Sequence, residues 1–335
     1  MASIRDVAEL AGVSVSTVSH VINETRFVRE DTQAKVLAAM KDLGYQHNRL
    51  ASSLRRKDKR TNTMGLLIPD STNPFFAEVL RGVEDACYDA GFSVFLCNSD
   101  NDPEKEYNYI EVLIGKQIDG IVLVSAGTYG ESLSLLKEKA LPFVLVDRKV
   151  SGSENDSVLA DNKVGGYQAT KYLIELGHKR IGCIGGPSLL NPSAARVDGY
   201  KQALAEYDLL DENLIFRGDF RAQSGTDASR AMFELENPPT AIFACNDMMA
   251  LGALHAADEA NLNVPNDISI VGYDDIPLAS FTRPQLTTIA QPGQEMGLEA
   301  AKMLISRIDN PNLPPRQKLL STLLVVRNSC RNREE

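Results

Sequence analysis

The N-terminal residues 4–23 read IRDVAELAGVSVSTVSHVIN. From Ile4 to Ala11, apolar side chains recur three or four positions apart, which predicts a short helix with one buried face. Ser14 is placed to cap a second helix that runs to about Asn23. Gly12 lies between the two helices, where a tight turn needs a residue that tolerates unusual backbone angles. The stretch therefore predicts a helix-turn-helix.

The second helix of this motif has a polar outer face. Val18 and Val21 are expected to point into the core together with Val13. The outer face then carries short hydrogen-bonding groups and one valine able to contact a thymine methyl, which suits a DNA major groove. Its residues are Val15, Ser16, Thr17, Ser19, His20 and Asn23. A small helical bundle with a polar face is the alternative interpretation.

A third helix is predicted over about residues 31–43, and it completes a three-helix headpiece that ends near Tyr45. The side chains expected to face inward are Val36, Leu37, Met40 and Leu43. Residues 48–60 follow with six basic residues and one acid. Although the whole chain has a net charge of -10, residues 1–60 carry eleven Lys and Arg against seven Asp and Glu. A DNA phosphate backbone would bind at this basic end.

From Thr63 onward, apolar strand-like segments alternate with helical stretches. The segments are 64–68, 93–97, 120–124, 143–146, 180–184, 240–244 and 268–271. Alternation of this kind predicts an α/β fold with doubly wound parallel sheets and helices on both faces. Because the remaining chain is large for one sheet, we expect two similar lobes with a ligand cleft at the carboxyl ends of their strands.

Polar and aromatic residues gather where these strands end. Carboxylates, guanidinium groups and amides can bind the hydroxyls of a sugar, and aromatic rings can cover its apolar faces. The candidate effector-binding residues are Asn73, Phe75, Phe76, Asp147, Arg148, Arg196, Phe220, Asn246, Asp274 and Gln291. Taken singly, each residue has another explanation, such as a core phenylalanine, a helix cap or a surface ion pair.

The headpiece residues IRDVAELAGVSVSTVSHVIN, followed by LGYQHNRLASSLR, resemble the LacI/GalR family of transcriptional regulators. The resemblance continues through nearly the whole chain and implies a repressor that binds a near-palindromic operator as a homodimer. In that family the hinge folds into a helix on DNA, and a leucine enters the minor groove, as apolar wedges do in other kinked duplexes. The matching residue is Leu54. The implied DNA-binding residues are Ser14, Val15, Ser16, Thr17, His20, Asn23, Arg26, Tyr45, Leu54 and Arg55.

The resemblance also divides the chain into domains. Residues 1–46 form the helix-turn-helix headpiece, residues 47–60 the hinge helix or linker, and residues 61–335 the effector-binding and dimerisation domain. Its first lobe takes about residues 61–161 plus 292–322, and its second takes about 162–291 plus 323–330. This domain is similar to type I periplasmic sugar-binding proteins, and to ribose-binding proteins in particular, through NPFF, DR, SAAR, DF, ND and TIAQ in that order.

Carried over residue by residue, this similarity implies a pentose, D-ribose, as the effector that lowers operator affinity. The hydrogen-bonding candidates would hold the sugar while Phe75, Phe76 and Phe220 sandwich it. The headpiece also resembles that of a purine-responsive repressor of the same family. That repressor has an aromatic residue where Arg148 stands and a basic side chain near Leu190, so a purine is the second choice. Whether a phosphocarrier protein assists, as for some relatives, stays open.

Other function classes find little support in the residues. The four histidines are scattered, no glycine-rich phosphate loop appears, and no apolar run is long enough for a membrane, so we expect no enzyme, no cofactor and no metal site. Asp147 and Asp274 as an acid-base pair is the enzymatic alternative. The N-terminus lacks the order of a secretory signal, which favours a cytoplasmic, nucleoid-associated protein. A sugar-binding protein without a regulatory role would leave the headpiece unexplained.

Overall fold

The computed structural model describes residues 2–23, 26–45, 60–124, 130–148, 155–188 and 190–333. The chain divides into two units, residues 1–61 and 62–335, and each is described by itself. Most of the predicted hinge, with Leu54 and Arg55, lies outside the described residues. Asn23 is described only as the last residue of its helix.

The first unit contains helices α1 (Ile4–Ala11), α2 (Val15–Asn23) and α3 (Glu30–Asp42). Ser3 and Asp6 form a capping box at the start of α1, and Gly12 ends that helix with a left-handed φ of 64°. The core consists of Val7, Ala8, Val18, Val21, Val36 and Ala39. The predicted helix-turn-helix is therefore present.

Two expected core residues of α3 lie elsewhere. Leu37 is 57% exposed and Leu43 is 36% exposed, so the prediction that they face inward was wrong. Val36 and Ala39 are the buried side chains of this helix. Leu37 is one position, about 100° of helical rotation, away from Val36, and therefore points toward a different face. Leu43 follows the last residue of the helix.

The second unit is built on two six-stranded sheets. The first lobe contains β1 (Thr63–Ile68), β2 (Ser93–Asn98), β3 (Gly120–Leu123), β4 (Phe143–Val146), β5 (Ser157–Ala160) and β11 (Gln317–Leu320). Their order is β11-β5-β4-β3-β1-β2, and all neighbours are parallel. The helices of this lobe are α4 (Pro74–Asp89), α5 (Pro103–Gly115), α6 (Glu131–Glu138) and α11 (Gly293–Asp309).

The second lobe repeats this plan. Its strands are β6 (Ile181–Gly185), β7 (Ile215–Arg217), β8 (Ala241–Ala244), β9 (Ser269–Asp274), β10 (Thr287–Ala290) and β12 (Leu323–Val325), in the order β12-β10-β9-β8-β6-β7. Only β12 runs antiparallel to its neighbour among these described strands. The helices are α7 (Asn162–Glu175), α8 (Asn191–Ala205), α9 (Ala222–Phe233) and α10 (Asp247–Glu259).

In its described part the chain passes between the sheets at residue 161, at residues 291–292 and at residues 321–322. The predicted fold class, a three-helix headpiece followed by two doubly wound lobes, is confirmed. Of the helices described, none combines the length and the apolar character that crossing a bilayer requires.

Close helix packing positions part of the cleft between the lobes. Helices α7 and α8 approach so closely that a Cβ atom added at Gly166 would lie 2.1 Å from the carbonyl oxygen of Arg196. A Cβ atom at Gly199 would lie equally close to the carbonyl oxygen of Lys163. Only glycine fits at such contacts between backbones. These two glycines set the position of α8 against α7, and so the position of Arg196 in the cleft.

Candidate ligand-binding cleft

A cleft of about 440 Å³, counting the space open to solvent at its mouth, lies between the two lobes. It is formed where the carboxyl ends of several parallel strands meet, which is the usual ligand position in open α/β folds. Its lining consists of Asp70, Asn73, Phe75, Phe76, Asn101, Asp147, Arg148, Pro192, Arg196, Phe220, Asn246 and Asp274.

The cleft brings together nine of the ten residues predicted for effector binding. Gln291 does not line it, but Nε2 of Gln291 donates a hydrogen bond to Oδ1 of Asp274 at 2.8 Å. Nearly all of these side chains are buried, so the lobes are closed against each other. The contacts of these residues with a ligand stay a prediction.

Arg196 is held by several groups of the second lobe at once. Its Nε donates to Oδ1 of Asn162 at 2.7 Å, and its Nη1 donates to the carbonyl oxygen of Cys245 at 2.6 Å. The same Nη1 lies 3.4 Å from Oδ1 of Asp274. Cζ of its guanidinium also lies 3.9 Å from the ring centroid of Tyr273, a cation–π contact. These contacts fix its orientation before any ligand arrives.

Asp274 is a buried carboxyl with an unusual affinity for protons. Burial raises the pKa of Asp274 to about 7, against the opposing effect of Arg196 and of the hydrogen bond from Gln291. Asn73, from the first lobe, also hydrogen-bonds Asp274 and favours its charged form. The charge of this group therefore changes near neutral pH.

The first lobe contributes a guanidinium group, from Arg148, and a carboxylate, from Asp147. Nη2 of Arg148 donates to Oδ1 of Asn101 at 3.0 Å, and burial lowers the pKa of Arg148 to about 10 although the carboxylates of Asp147 and Glu106 favour its charge. Oδ1 of Asp147 is buried and has no hydrogen-bond partner within the described part of the chain. A buried acceptor without a donor costs about 1–3 kcal/mol, so a donor from a ligand would stabilise it.

Backbone strain is concentrated at the same place. Asp147, Phe220 and Asp274 have φ values of 62°, 71° and 109°, in the left-handed region that residues other than glycine rarely adopt. Such conformations tend to cluster at functional sites, where the surrounding structure holds them. All three residues line the cleft.

Two cleft asparagines also cap helices. Oδ1 of Asn73 accepts from the backbone N–H of Phe75 at the start of α4, and Oδ1 of Asn246 accepts from that of Met249 at the start of α10. Nδ2 of Asn246 donates to the carbonyl oxygen of Phe220. Capping fixes both side chains at the first turn of their helices. A capping role is therefore compatible with the predicted role in ligand binding.

The three phenylalanines supply apolar surface. The rings of Phe75 and Phe76 pack edge to face, with centroids 5.2 Å apart. Phe220 lies against Gly186, where a Cβ atom would approach the ring to 2.4 Å. Gly186 therefore makes room for this ring.

Sequence reasoning missed several residues here. Asp70 and Asn101 line the cleft and closely follow β1 and β2, so the rule that found the other strand-end residues should have found them too. Pro192 also lines it. Asn162 and Tyr273 act through Arg196, and nothing in the linear pattern connects them with it.

The outer face of α2 carries the residues predicted to contact DNA. Oγ of Ser14 accepts from the backbone N–H of Thr17 at 3.1 Å, which is the predicted helix cap. Val15 is 39% exposed and Ser16 is exposed, whereas Thr17 and His20 are half-buried. Arg26 is exposed, and Tyr45 packs partly against the headpiece core.

Comparison with known proteins matches both parts of the chain. A model of bacterial regulatory proteins of the lacI family matches residues 3–48, and a model of the periplasmic binding protein-like domain matches residues 170–330. The ribose operon repressor of Escherichia coli K12 is 43% identical over 332 residues, which cover 98% of this chain and 100% of that protein. The chain belongs to the LacI family.

Other LacI-family proteins agree with this placement. The HTH-type transcriptional repressor PurR of Photobacterium profundum is 41% identical over 334 residues, or 99% of both chains. A LacI family transcriptional regulator from Enterococcus faecium, solved with bound ribose, is 32% identical with a TM-score of 0.74, covering 81% of this chain and 99% of its own. The chain is a LacI-family transcriptional repressor, as its sequence predicted.

Proposed function

We propose that this repressor binds a near-palindromic operator as a cytoplasmic, nucleoid-associated homodimer and that D-ribose in the cleft lowers its operator affinity. The observation that carries the choice of ligand is the set of nine predicted sugar-binding residues around one closed cleft. A pentose presents hydroxyl groups in several directions, so it needs donors and acceptors on both lobes. Asp147 and Arg148 supply them from the first lobe, and Arg196 and Asp274 from the second.

Asp147 and Asp274 would accept hydrogen bonds from sugar hydroxyls. Oδ1 of Asp147 is buried without a donor in the described part of the chain, and a ribose hydroxyl would satisfy it. Phe75, Phe76 and Phe220 would cover the apolar faces of the ring. Gln291 would act by orienting Asp274, to which it donates a hydrogen bond.

A purine base is the second candidate, because repressors of both names have similar identity to this chain. The cleft favours the pentose for two reasons. A planar base gains from an aromatic plate, and Arg148, buried and hydrogen-bonded to Asn101, stands where the purine repressor has one. A purine carbonyl needs a basic partner, and the residue at that region is Leu190, a buried apolar side chain.

The proposed DNA contacts follow the exposed side of the headpiece. Ser16 and His20 would reach base edges, and Thr17, Asn23 and Arg26 would contact phosphates. Leu54 and Arg55 would enter the minor groove. Val15 would touch a thymine methyl, with Ser14 and Tyr45 positioning the two ends of the motif.

The proposed role for ribose depends on a difference in affinity between two lobe arrangements. A ligand shifts such an equilibrium only by binding one arrangement more tightly than the other. Closure around ribose would fix the lobes in the arrangement that disfavours the operator-bound hinge. The proposed role of the site is ligand binding, in which Asp274 is oriented by Arg196 and Gln291.

Isothermal titration calorimetry of the full chain with ribose, other pentoses, hexoses, hypoxanthine and guanine tests the ligand. Ribose is expected to bind, and at about 100 times its dissociation constant to add about 2.7 kcal/mol to the unfolding free energy. Operator duplexes selected from a random pool then test the response, with ribose releasing the DNA. Binding of hypoxanthine or guanine without ribose would replace the pentose by a purine.

A further inference from the structure

One ion pair crosses the rim of the cleft. Nε of Arg221 lies 3.8 Å from Oδ2 of Asp70. Asp70 follows β1 in the first lobe, and Arg221 precedes α9 in the second, directly after Phe220. Among the ion pairs that the described residues form with one another, this pair alone joins the two lobes.

The Asp70 side chain and the backbone of Arg221 are each held within their own lobe. Oδ1 of Asp70 accepts from the backbone N–H of Thr72 at 2.8 Å and from its hydroxyl at 2.6 Å, which leaves Oδ2 to face Arg221. The backbone N–H of Arg221 donates to Oδ1 of Asp219 at 2.9 Å, and its carbonyl oxygen accepts from Oγ of Ser224. The two loops are therefore held in place, and formation of the contact has to order only the side chain of Arg221.

A second carboxylate of the first lobe also feels the charge of Arg221. Asp100 lies on the first-lobe side beside Asn101, and the hydrogen bond from Lys105 lowers its pKa. The positive charge of Arg221 lowers the pKa of Asp100 further from the opposite lobe. Arg221 therefore acts on two first-lobe carboxylates, Asp70 and Asp100.

We infer that Arg221 and Asp70 form a clasp that holds the two lobes closed over the bound sugar and so raises its affinity. The inference rests on the proposed function for the identity of the sugar. Arg221 is 60% exposed, so salt screens the clasp strongly. Ribose carries no charge, and its affinity can depend on salt only through charges of the protein. A salt dependence of the affinity that disappears on removal of Arg221 is thus the signature of the clasp.

A double-mutant cycle measures the clasp through the ribose dissociation constant at about 0.01 M and about 1 M ionic strength. The variants are Arg221→Gln, Asp70→Asn and the two combined, and Asp70→Asn keeps a side-chain oxygen for Thr72. Arg221→Gln is expected to weaken ribose binding about two- to five-fold at low salt and to abolish its salt dependence. Because Asp70 also lines the cleft, the clasp is measured by the non-additivity of the two substitutions at low salt and by its loss at high salt.

Arg230→Gln is the matched control, because Arg230 lies on the helix that follows Arg221, is 47% exposed and pairs with Glu259 inside the second lobe. It should leave the affinity and its salt dependence unchanged. Equal salt dependence in the native chain and in Arg221→Gln would overturn the clasp while leaving ribose as the effector.

A second measurement needs no ligand. Energy transfer between fluorophores attached at exposed Lys116 in the first lobe and exposed Glu236 in the second reports the distance between the lobes of the ligand-free full chain. Arg221→Gln is expected to widen the distance distribution, and Arg230→Gln to leave it alone. If the native chain binds no ribose, the proposed ligand is wrong, but the distances between the lobes still test the clasp. An unchanged distance distribution in Arg221→Gln would overturn the clasp.

Discussion

Nη2 of Arg148 donates to Oδ1 of Asn101 at 3.0 Å, and both residues line the cleft. Asn101 has a left-handed φ of 58°, so this side chain is presented by a constrained turn after β2. The asparagine thereby orients a buried guanidinium that faces the proposed sugar. The pair gives the first lobe a fixed donor on the wall of the cleft.

Replacing Arg148 by Ala should yield a repressor that binds its operator and ignores ribose. Charged hydrogen bonds contribute about 1.5–3 kcal/mol each, so the ribose dissociation constant should rise at least about tenfold. Calorimetry and an operator release assay measure the two effects. Arg81→Ala, at an exposed site on α4, is the control and should respond to ribose normally. Retained induction in the Arg148 variant would exclude this residue from the site.

Ribose affinity should depend on pH through Asp274. The pKa of this carboxyl in the free protein is raised to about 7, so it is largely protonated below that pH and charged above it. A sugar hydroxyl that donates to the carboxylate stabilises the charged form, and the affinity should therefore rise as the pH passes upward through 7. Titrations at several pH values test this. Asp274→Asn should bind ribose more weakly and lose the step at neutral pH; a step that survives would assign the pH dependence to another group.

Leu54→Ala should weaken operator binding and leave ribose affinity near that of the native chain. An apolar wedge in the minor groove supports the kinked duplex, and its removal costs DNA contacts only. Fluorescence anisotropy with operator and calorimetry with ribose give the two constants. Leu210→Ala, a partly exposed site in the second lobe, should alter neither. An equal loss of both affinities in the Leu54 variant would show that the hinge assignment is wrong.

His178 should make the second lobe less stable in mild acid. Its ring is buried, with Nδ1 2.9 Å from Oγ1 of Thr240 and Nε2 3.0 Å from Oγ of Ser269. Burial lowers the pKa of His178 from 6.5 to about 4, with the charges of Arg333 and Arg331 acting in the same direction. The unfolded chain therefore takes up a proton before the folded one does. Its contribution to stability is complete above pH 6.5 and declines as the pH falls toward 4.

Each pH unit between these two pKa values costs about 1.4 kcal/mol, so about 2 kcal/mol of unfolding free energy should be lost near pH 5. Urea unfolding at neutral pH and near pH 5 measures the difference. His178→Gln should reduce the loss, because an amide can bond both hydroxyls without taking up a proton. His255→Gln, at an exposed site on α10, is the control for the loss of a histidine.

Much of the cleft could be predicted because parallel strands deliver their next residues to one edge of the sheet. Asp147 and Asp274 each stand at such a position, and a list of strand ends finds them without knowledge of the sheet order. The same rule covers Asp70 and Asn101, which the prediction omits although they follow β1 and β2. The residues that follow β1 and β2 carry the same positional signal.

Other features depend on contacts that no local pattern shows. Asn162, at the start of α7, accepts a hydrogen bond from Arg196 on α8, and the ring of Tyr273 on β9 lies against the guanidinium group. In α3, spacing alone predicts apolar Leu37 in the core, whereas the small Ala39 occupies that face. Where two apolar residues such as Val36 and Leu37 are adjacent, helical periodicity predicts that the helix has a buried face but does not decide which of the two lies on it.

Gly166 is not among the lining residues of the cleft, yet its missing side chain sets where Arg196 stands. A methyl group there would push α7 and α8 apart and carry the guanidinium away from Asn162 and the carbonyl of Cys245. A genetic screen for repressors that stay on DNA in the presence of effector should therefore return Gly166 substitutions beside those of the cleft residues. An engineer who wishes to alter sugar preference would keep this helix contact constant and vary only the side chains at the strand ends.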